Sequence, residues 1–149
     1  MSSENVQLAR RIAERIAADD FVAALGDEET LEATRSDLHQ LVEPDFEVEM
    51  VAPEYAATEP LVRHGMDGYV ELWRDWLAPY ETYRAELEGF HDAGDRVVML
   101  VRQVGQPKLG SVPVEAESAV VFTFRAGKLT RIEFHLDRER AMKAAGLSE

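Results

Sequence analysis

Alternating apolar and polar side chains mark the last third of the chain as part of a β-sheet. From residue 112 to residue 124 the even positions are apolar, interrupted only by Ser118, and the same parity continues through residues 132–136. The apolar side chains at these positions are Val112, Val114, Ala116, Val120, Phe122, Phe124, Ile132, Phe134 and Leu136. Because a period of two places alternate side chains on opposite faces of a sheet, one face is predicted to be apolar.

Three further stretches carry strand patterns. Residues 45–52 alternate, and residues 97–101 are apolar at every position, as in a central strand. Another strand begins at Tyr83, and its apolar parity shifts after Gly89, which predicts a β-bulge. Residues 53–64 contain two prolines and no periodicity, so a loop is predicted there.

Four stretches with a helical period complete the prediction. They cover residues 4–25, residues 27–43, residues 66–78 and a short segment after Asp137. Asp27 is the expected N-cap of the second helix, and Pro44 is expected to mark its end. Helices followed by strands that are mostly joined by hairpins predict an α+β fold. We expect a strongly bent, mixed or antiparallel sheet with helices packed across its concave face, around a conical cavity.

The length and charge of the chain narrow its class. We expect one domain over residues 1–149, with an N-terminal helix over 1–26 and a core over 27–147. A formal net charge of −13, from 29 acidic and 16 basic residues, argues against binding to nucleic acid or to an anionic membrane. The chain has no cysteine, no apolar run of the ~20 residues that cross a bilayer and no apolar signal region. A cytoplasmic location is therefore expected.

Acidic side chains and one histidine are the candidates for chemistry on the polar face. Glu47 and Glu49 share the odd face of the first strand, and Glu117 and Glu133 occupy odd positions of later strands. Ionised carboxylates are rarely buried without partners, so we expect solvated or interface positions, which do not raise the pKa as acid catalysis requires. His135 follows Glu133 by two residues and could shuttle a proton, but we expect a surface or dimer-interface histidine.

Two neighbouring polar residues and an aromatic stripe are candidates for a binding site. Arg102 and Gln103 follow an apolar strand, so one of them should point into the cavity. An inward Arg102 would hold a carboxylate or an enolate oxygen, whereas an outward one would reach solvent. Tyr69 and Trp73 belong to a helical aromatic stripe that forms either core or a pocket wall. We expect neither metal nor cofactor, because the remaining histidines show no metal-ligand spacing.

Four runs of sequence together carry a family resemblance. They are GMDGYVELWRDW at residues 65–76, DAGDRVV at 92–98, FTFRAGKL at 122–129 and DRERA at 137–141. These runs resemble SnoaL-like proteins of the nuclear transport factor 2-like (NTF2-like) superfamily. The resemblance covers about residues 30–147 and implies one conical SnoaL-like domain.

The resemblance also implies where catalytic groups would lie. Relatives include polyketide cyclases, ketosteroid isomerases and limonene epoxide hydrolases, beside non-enzymatic binding and dimerisation domains. The enzymes place acidic side chains inside the cone. The matching positions here read Met50, Val120 and Phe134, so no catalytic residue is assigned and an enzyme is not favoured.

We therefore expect an apolar cavity that binds a hydrophobic small molecule with little or no catalysis. The predicted ligand-binding residues are Met50, Tyr69, Trp73, Arg102, Val120, Phe122 and Phe134. One alternative is an enzyme of the cyclase, isomerase or epoxide hydrolase kind acting on a hydrophobic ring, indicated if Glu49 or Glu117 points inward. Another is a dimerisation domain without a ligand. A homodimer is expected through the odd, outer face, which mixes Ala119, Val121 and Thr123 with charged side chains.

Overall fold

The computed structural model describes residues 2–16, 20–51, 61–110 and 112–147, and within them a six-stranded mixed sheet forms the frame. In chain order its strands are β1 (Val42–Val51), β2 (Leu61–His64), β3 (Tyr80–Ala93), β4 (Arg96–Pro107), β5 (Val114–Arg125) and β6 (Lys128–His135). Across the sheet they lie in the order β2-β1-β6-β5-β4-β3. Strands β1 and β6 run parallel, and the other neighbours run antiparallel.

Five helices in the described part of the chain pack on the two faces of this sheet. They are α1 (Ser2–Ile16), α2 (Phe21–Leu25), α3 (Glu28–Leu38), α4 (Gly65–Leu77) and α5 (Arg138–Ala144). Helices α1 to α4 cover what we call the inner face, where Ile12 and Trp73 join the main core. On the opposite, outer face, α5 packs against Val98, Ala119 and Val121. The α+β class is therefore confirmed.

The contact with α5 changes the surface that was expected to form a dimer. Ala119 and Val121 are both 0% exposed, because α5 of the same chain covers them. Their apolar character therefore reflects packing within the chain, and they are not free to contact a partner.

The two-residue period of β5 and β6 correctly predicts that Val120, Phe122, Ile132 and Phe134 enter the main core. Across these strands Val120 pairs with Phe134 and Phe122 pairs with Ile132. All four are at most 8% exposed. The apolar parity also extends beyond the core, since Val112 precedes β5 and is 75% exposed.

The helix predicted over residues 4–25 is wrong, because the chain forms two helices in this region. Asp20 has extended backbone angles (φ −145°, ψ 105°) and is the N-cap of α2. Its carboxylate accepts hydrogen bonds from the backbone N–H of Val22 at 3.0 Å and of Tyr83 at 3.1 Å. Asp20 therefore ties α2 to the edge strand β3. Residues 17–19 lie outside the described residues.

Strand β2 was missed, because the sequence predicts a loop over residues 53–64. The strand has four residues without apolar alternation, so it carries no pattern of its own. It is held by antiparallel pairing to β1, in which Met50 lies opposite Leu61. Residues 52–60, which connect the two strands, lie outside the described residues.

Pro44 does not end a helix, contrary to the prediction. Helix α3 ends at Leu38, and Pro44 lies inside β1. The pairing of β1 with β6 shifts register between Val42 and Glu47. A proline is tolerated at such an irregularity because its missing N–H is not needed there.

The other local signals are confirmed. Asp27 and Asp137 are the N-caps of α3 and α5, and each carboxylate accepts a backbone N–H of the first helical turn. The β-bulge predicted at Gly89 appears as a shift in the pairing of β3 with β4.

Candidate functional site

A small, largely apolar cavity lies between the inner face of the sheet and helices α1, α2 and α4. Its wall is formed by Ala13, Phe21, Tyr69, Trp73, Ala85, Leu87, Met99, Val101, Gln103, Val120 and Phe134. Its volume is about 40 Å³. One water molecule needs ~10–15 Å³, and an apolar cavity known to hold benzene has ~150 Å³. A ring-sized ligand therefore requires a wall side chain to move.

A second cavity of about 90 Å³ lies among helices α1 to α4. It shares Phe21, Tyr69 and Trp73 with the first cavity, so these aromatic side chains form the wall between the two. The rings of Phe21 and Trp73 are stacked, with centroids 5.5 Å apart and 8° between their planes. Phe21 is half-buried on a helix of five residues.

The Gln103 amide brings a polar group to the wall of the first cavity. Gln103 is 9% exposed, and its Oε1 accepts a hydrogen bond from the Tyr83 hydroxyl at 2.5 Å. That hydroxyl accepts a hydrogen bond from the Trp76 indole N–H at 3.3 Å. Burial raises the pKa of Tyr83 to about 12, and the bond from Trp76 offsets only part of the rise. Tyr83 is therefore a neutral donor at pH 7.

Because Gly105 has no side chain, there is room beside it for the rings of Tyr80 and Tyr83. A Cβ at Gly105 would lie 2.5 Å from the Tyr80 ring and 3.0 Å from the Tyr83 ring. The two tyrosine rings meet edge to face, with centroids 5.2 Å apart. Any larger residue at Gly105 would push these rings away, so the glycine helps to position Tyr83 against Gln103.

Two more hydrogen-bonding groups reach the cavity wall from α4. The Trp73 indole N–H is buried and has no hydrogen-bond partner among the described residues. Burial raises the pKa of Tyr69 well above its ordinary value, and the Trp73 N–H opposes this shift without reaching hydrogen-bond geometry. Both side chains are neutral at pH 7, so this wall offers polarity without charge.

The structure brings together part of the predicted ligand-binding set. The members that line the first cavity are Tyr69, Trp73, Val120 and Phe134. Met50 and Phe122 lie in the same core but outside the cavity wall. The sequence predicts that either Arg102 or Gln103 points into the cavity. The residue that does so is Gln103.

Arg102 does not line the cavity, contrary to the prediction, because it lies on the outer face of β4. Its guanidinium donates to the Glu115 carboxylate at 2.9 Å. This hydrogen bond raises the pKa of Arg102. Consecutive side chains of a strand point to opposite faces, so an inward Gln103 requires an outward Arg102. The cavity therefore has no contact with this cation.

The outer face holds a group of charges around Arg131, which we call the Arg131 cluster. Arg131 forms ion pairs with Glu47 and Glu49 of β1, and its Nε lies 3.3 Å from Glu133 Oε2. His135 Nε2 lies 3.2 Å from Glu133 Oε1. The His135 hydrogen bond, followed by the Arg131 charge, holds the pKa of Glu133 below its usual range against the opposing effect of burial. Glu133 therefore stays ionised at pH 7.

The positions of three ionisable side chains on the outer face, His135, Glu117 and Glu49, can be compared with the predictions. His135 is 5% exposed, so the expected surface position is wrong. Glu117 pairs with Arg138 at 2.9 Å, and Glu49 pairs with Arg131. The two acids whose inward position would have indicated an enzyme thus both lie on the outer face.

The described residues show neither a metal-binding group nor a membrane-spanning helix. Histidine, aspartate and glutamate side chains form no group of three or more that could hold a metal ion there. None of the helices in the same part of the chain is long and apolar enough to cross a bilayer.

The family model of the SnoaL-like domain matches residues 10–132, so the chain belongs to the SnoaL-like family. The family resemblance of the sequence is thereby confirmed. None of the curated proteins compared matches the chain.

Solved structures share the fold at low sequence identity. An NTF2-like protein of unknown function from Burkholderia pseudomallei K96243 has a TM-score of 0.60 and 18% identity, over 94% of this chain and 95% of its own. TerC, co-crystallised with polyporic acid, has a TM-score of 0.56 and 22% identity, over 84% of this chain and 95% of its own. A protein with a ketosteroid isomerase-like fold from Catenulispora acidiphila DSM 44928, in complex with trimethylamine, has a TM-score of 0.52 and 17% identity, over 72% of this chain and 78% of its own. These similarities establish the NTF2-like fold and leave the activity open.

Proposed function

We propose that this SnoaL-like protein binds a small, uncharged, hydrophobic molecule in its inner cavity and is non-catalytic or weakly catalytic. The composition of the cavity wall carries the proposal. Apart from the Gln103 amide, the described wall consists of aliphatic and aromatic side chains. Such a wall favours binding by removing apolar surface from water, at roughly 25 cal/mol per Å².

The positions of the acids support binding over catalysis. A general acid or base must come within hydrogen-bond reach of the group that it protonates or deprotonates. Glu49 and Glu117 are held on the outer face by Arg131 and Arg138. Besides the Tyr69 hydroxyl, an enzyme of the cyclase, isomerase or epoxide hydrolase kind would need a carboxylate or another acid–base group at the cavity.

The size of the site supports a ligand with about one ring. The first cavity alone is too small for a ring, but displacement of Phe21 would join it to the second. The TerC complex with polyporic acid and the Catenulispora complex with trimethylamine provide precedents for small-molecule binding in this fold.

Calorimetric titration with toluene tests the proposal. The Ala85→Leu variant adds bulk to the cavity wall, whereas Ala33→Leu makes the same change at an exposed position of α3. We expect toluene to bind the wild type and Ala33→Leu alike, and to bind Ala85→Leu roughly tenfold more weakly, a difference of about 1.4 kcal/mol. Melting curves establish that both variants are folded. No measurable binding to the wild type, or equal binding to both variants, would contradict the proposal.

A homodimer through the outer face and a cytoplasmic location stay predictions of the sequence. The outer surface left open by α5 includes the Arg131 cluster, so a dimer there would be a polar interface that weakens with added salt. Sedimentation velocity at micromolar concentration tests it, and a species of one chain's mass throughout would refute it. Cell fractionation tests the location.

A further inference from the structure

We propose that Gln103 determines the specificity of the cavity by donating its amide N–H to a neutral acceptor oxygen of the ligand, such as a ketone carbonyl. The inference deepens the proposed function and rests on it. It names the polar group that the hydrophobic ligand should carry.

The chain Trp76–Tyr83–Gln103 decides which end of the amide is available. An indole N–H can only donate, so the Tyr83 oxygen accepts from Trp76 and gives its single proton to Gln103 Oε1. The carbonyl end of the amide is therefore engaged by Tyr83. The amide nitrogen donates to no described residue, although Gln103 is buried and lines the cavity. A ligand oxygen would satisfy this free donor.

The rest of the wall favours the same kind of ligand. On the helical side of the cavity, the buried Trp73 indole N–H has no hydrogen-bond acceptor among the described residues. Arg102 lies on the other face of β4, so no cation from this strand compensates a buried anion. The described wall of the first cavity, where Gln103 lies, has no charged side chain, so a carboxylate beside Gln103 would lose its hydration without gaining an opposite charge, whereas a ketone needs only a donor.

A matched ligand pair measures the contribution of the hydrogen bond. Cyclohexanone and methylenecyclohexane have similar shapes, and only the ketone has an acceptor oxygen. The alkene is the more hydrophobic of the two, so the informative quantity is the ratio of their dissociation constants, compared between protein variants. Gln103→Met removes the amide and keeps a side chain of similar length. Gln106→Met makes the same change on the same strand, at a residue outside the cavity wall.

We expect Gln103→Met to weaken ketone binding relative to alkene binding by roughly three- to tenfold, the range for one neutral hydrogen bond. Gln106→Met should leave the ratio at its wild-type value. Cyclohexanecarboxylate should bind the wild type more weakly than the ketone.

Infrared spectroscopy of bound cyclohexanone separates a direct contact from a structural effect. Donation from Gln103 should lower the carbonyl stretching frequency in the wild type, and Gln103→Met should return it toward the value in an apolar solvent. Tyr83→Phe provides a second variant that keeps the amide but removes the group that orients it. We expect Tyr83→Phe to broaden the carbonyl band and to reduce the ketone preference only in part.

The outcomes distinguish this inference from the proposed function. Alkene binding that is weakened by Ala85→Leu supports the cavity as the site. If the alkene binds and Gln103→Met changes neither the ratio nor the carbonyl frequency, the role of Gln103 is refuted while the proposed function stands. Tighter binding of the carboxylate than of the ketone also refutes it. If neither ring compound binds, the proposed function itself fails.

Discussion

The inner and outer faces of the sheet come from the same strands but carry opposite chemistry. On β6, Ile132 and Phe134 enter the apolar core, while Arg131, Glu133 and His135 belong to the ion-paired cluster on the other side. Consecutive side chains of a strand point to opposite faces of the sheet, so neighbouring residues of β6 lie in different environments. The inner face therefore presents neutral groups to the cavity, and the charged side chains of β6 lie on the outer face, where Arg131 pairs with three carboxylates.

This contrast explains why the cavity is better suited to binding than to acid–base chemistry. An ionised group on the inner face would lose hydration without a partner, which is costly. On the outer face, the pKa of Glu133 is held low by His135 and Arg131. Glu133 is thus stabilised in its ionised form, away from the space that a ligand would occupy.

The largest expected effect comes from truncating the inner face at Phe122. This side chain is 1% exposed and stacks on Phe124, with ring centroids 6.3 Å apart. We expect Phe122→Ala to lower the free energy of unfolding by ~3–5 kcal/mol, measured by urea denaturation. Leu109→Ala is the control, because Leu109 is 91% exposed and should change stability by less than ~0.5 kcal/mol. A loss below ~1 kcal/mol would mean that Phe122 is loosely packed beside the cavity.

A smaller loss is expected from opening the Arg131 cluster. Arg131→Met leaves Glu49 and Glu133, each with a side chain 14% exposed, without their shared cation. The expected loss at pH 7 is about 1–2 kcal/mol, between the values for exposed and buried ion pairs. Arg84→Met is a matched control on β3, where the pair with Glu86 is exposed and should contribute less than ~0.5 kcal/mol. Equal losses in the two variants would show that the cluster is only a surface feature.

The smallest expected effect is a pH dependence that belongs to the outer face. A carboxyl group whose folded pKa is below its unfolded value stabilises the protein above the unfolded pKa, and this contribution is lost as the pH falls through the folded pKa. The pKa of Glu133 is lowered from a reference value of 4.5. The stability difference between the wild type and Glu133→Gln should thus be greatest near neutral pH and shrink as the pH falls below that reference value. Urea denaturation at several pH values measures it, and a difference independent of pH would contradict the assignment.

The sequence by itself determined the inner face of β5 and β6, where charged side chains occupy the odd positions 115, 117, 131 and 133. In β5 and β6 the even positions hold Val120, Phe122 and Phe134, and all three are buried in the main core. The period of two is visible there because charged residues interrupt the odd positions. Local capping signals such as Asp27 and Asp137 were equally readable, since a cap acts within its own helical turn.

Only the tertiary structure decided that Gln103 faces the cavity. Strand β4 is apolar on both sides, because α5 packs on Val98 from the outer face while the inner face buries Val97 and Val101. A strand that is covered on both faces is apolar at every position, so its sequence does not show which face each of its last residues belongs to. The contacts that shape the site also join distant parts of the chain, as in the hydrogen bond from the Tyr83 backbone to Asp20 and the stacking of Phe21 on Trp73. Periodicity reports which way neighbouring side chains point, and only folding brings separate segments within contact distance.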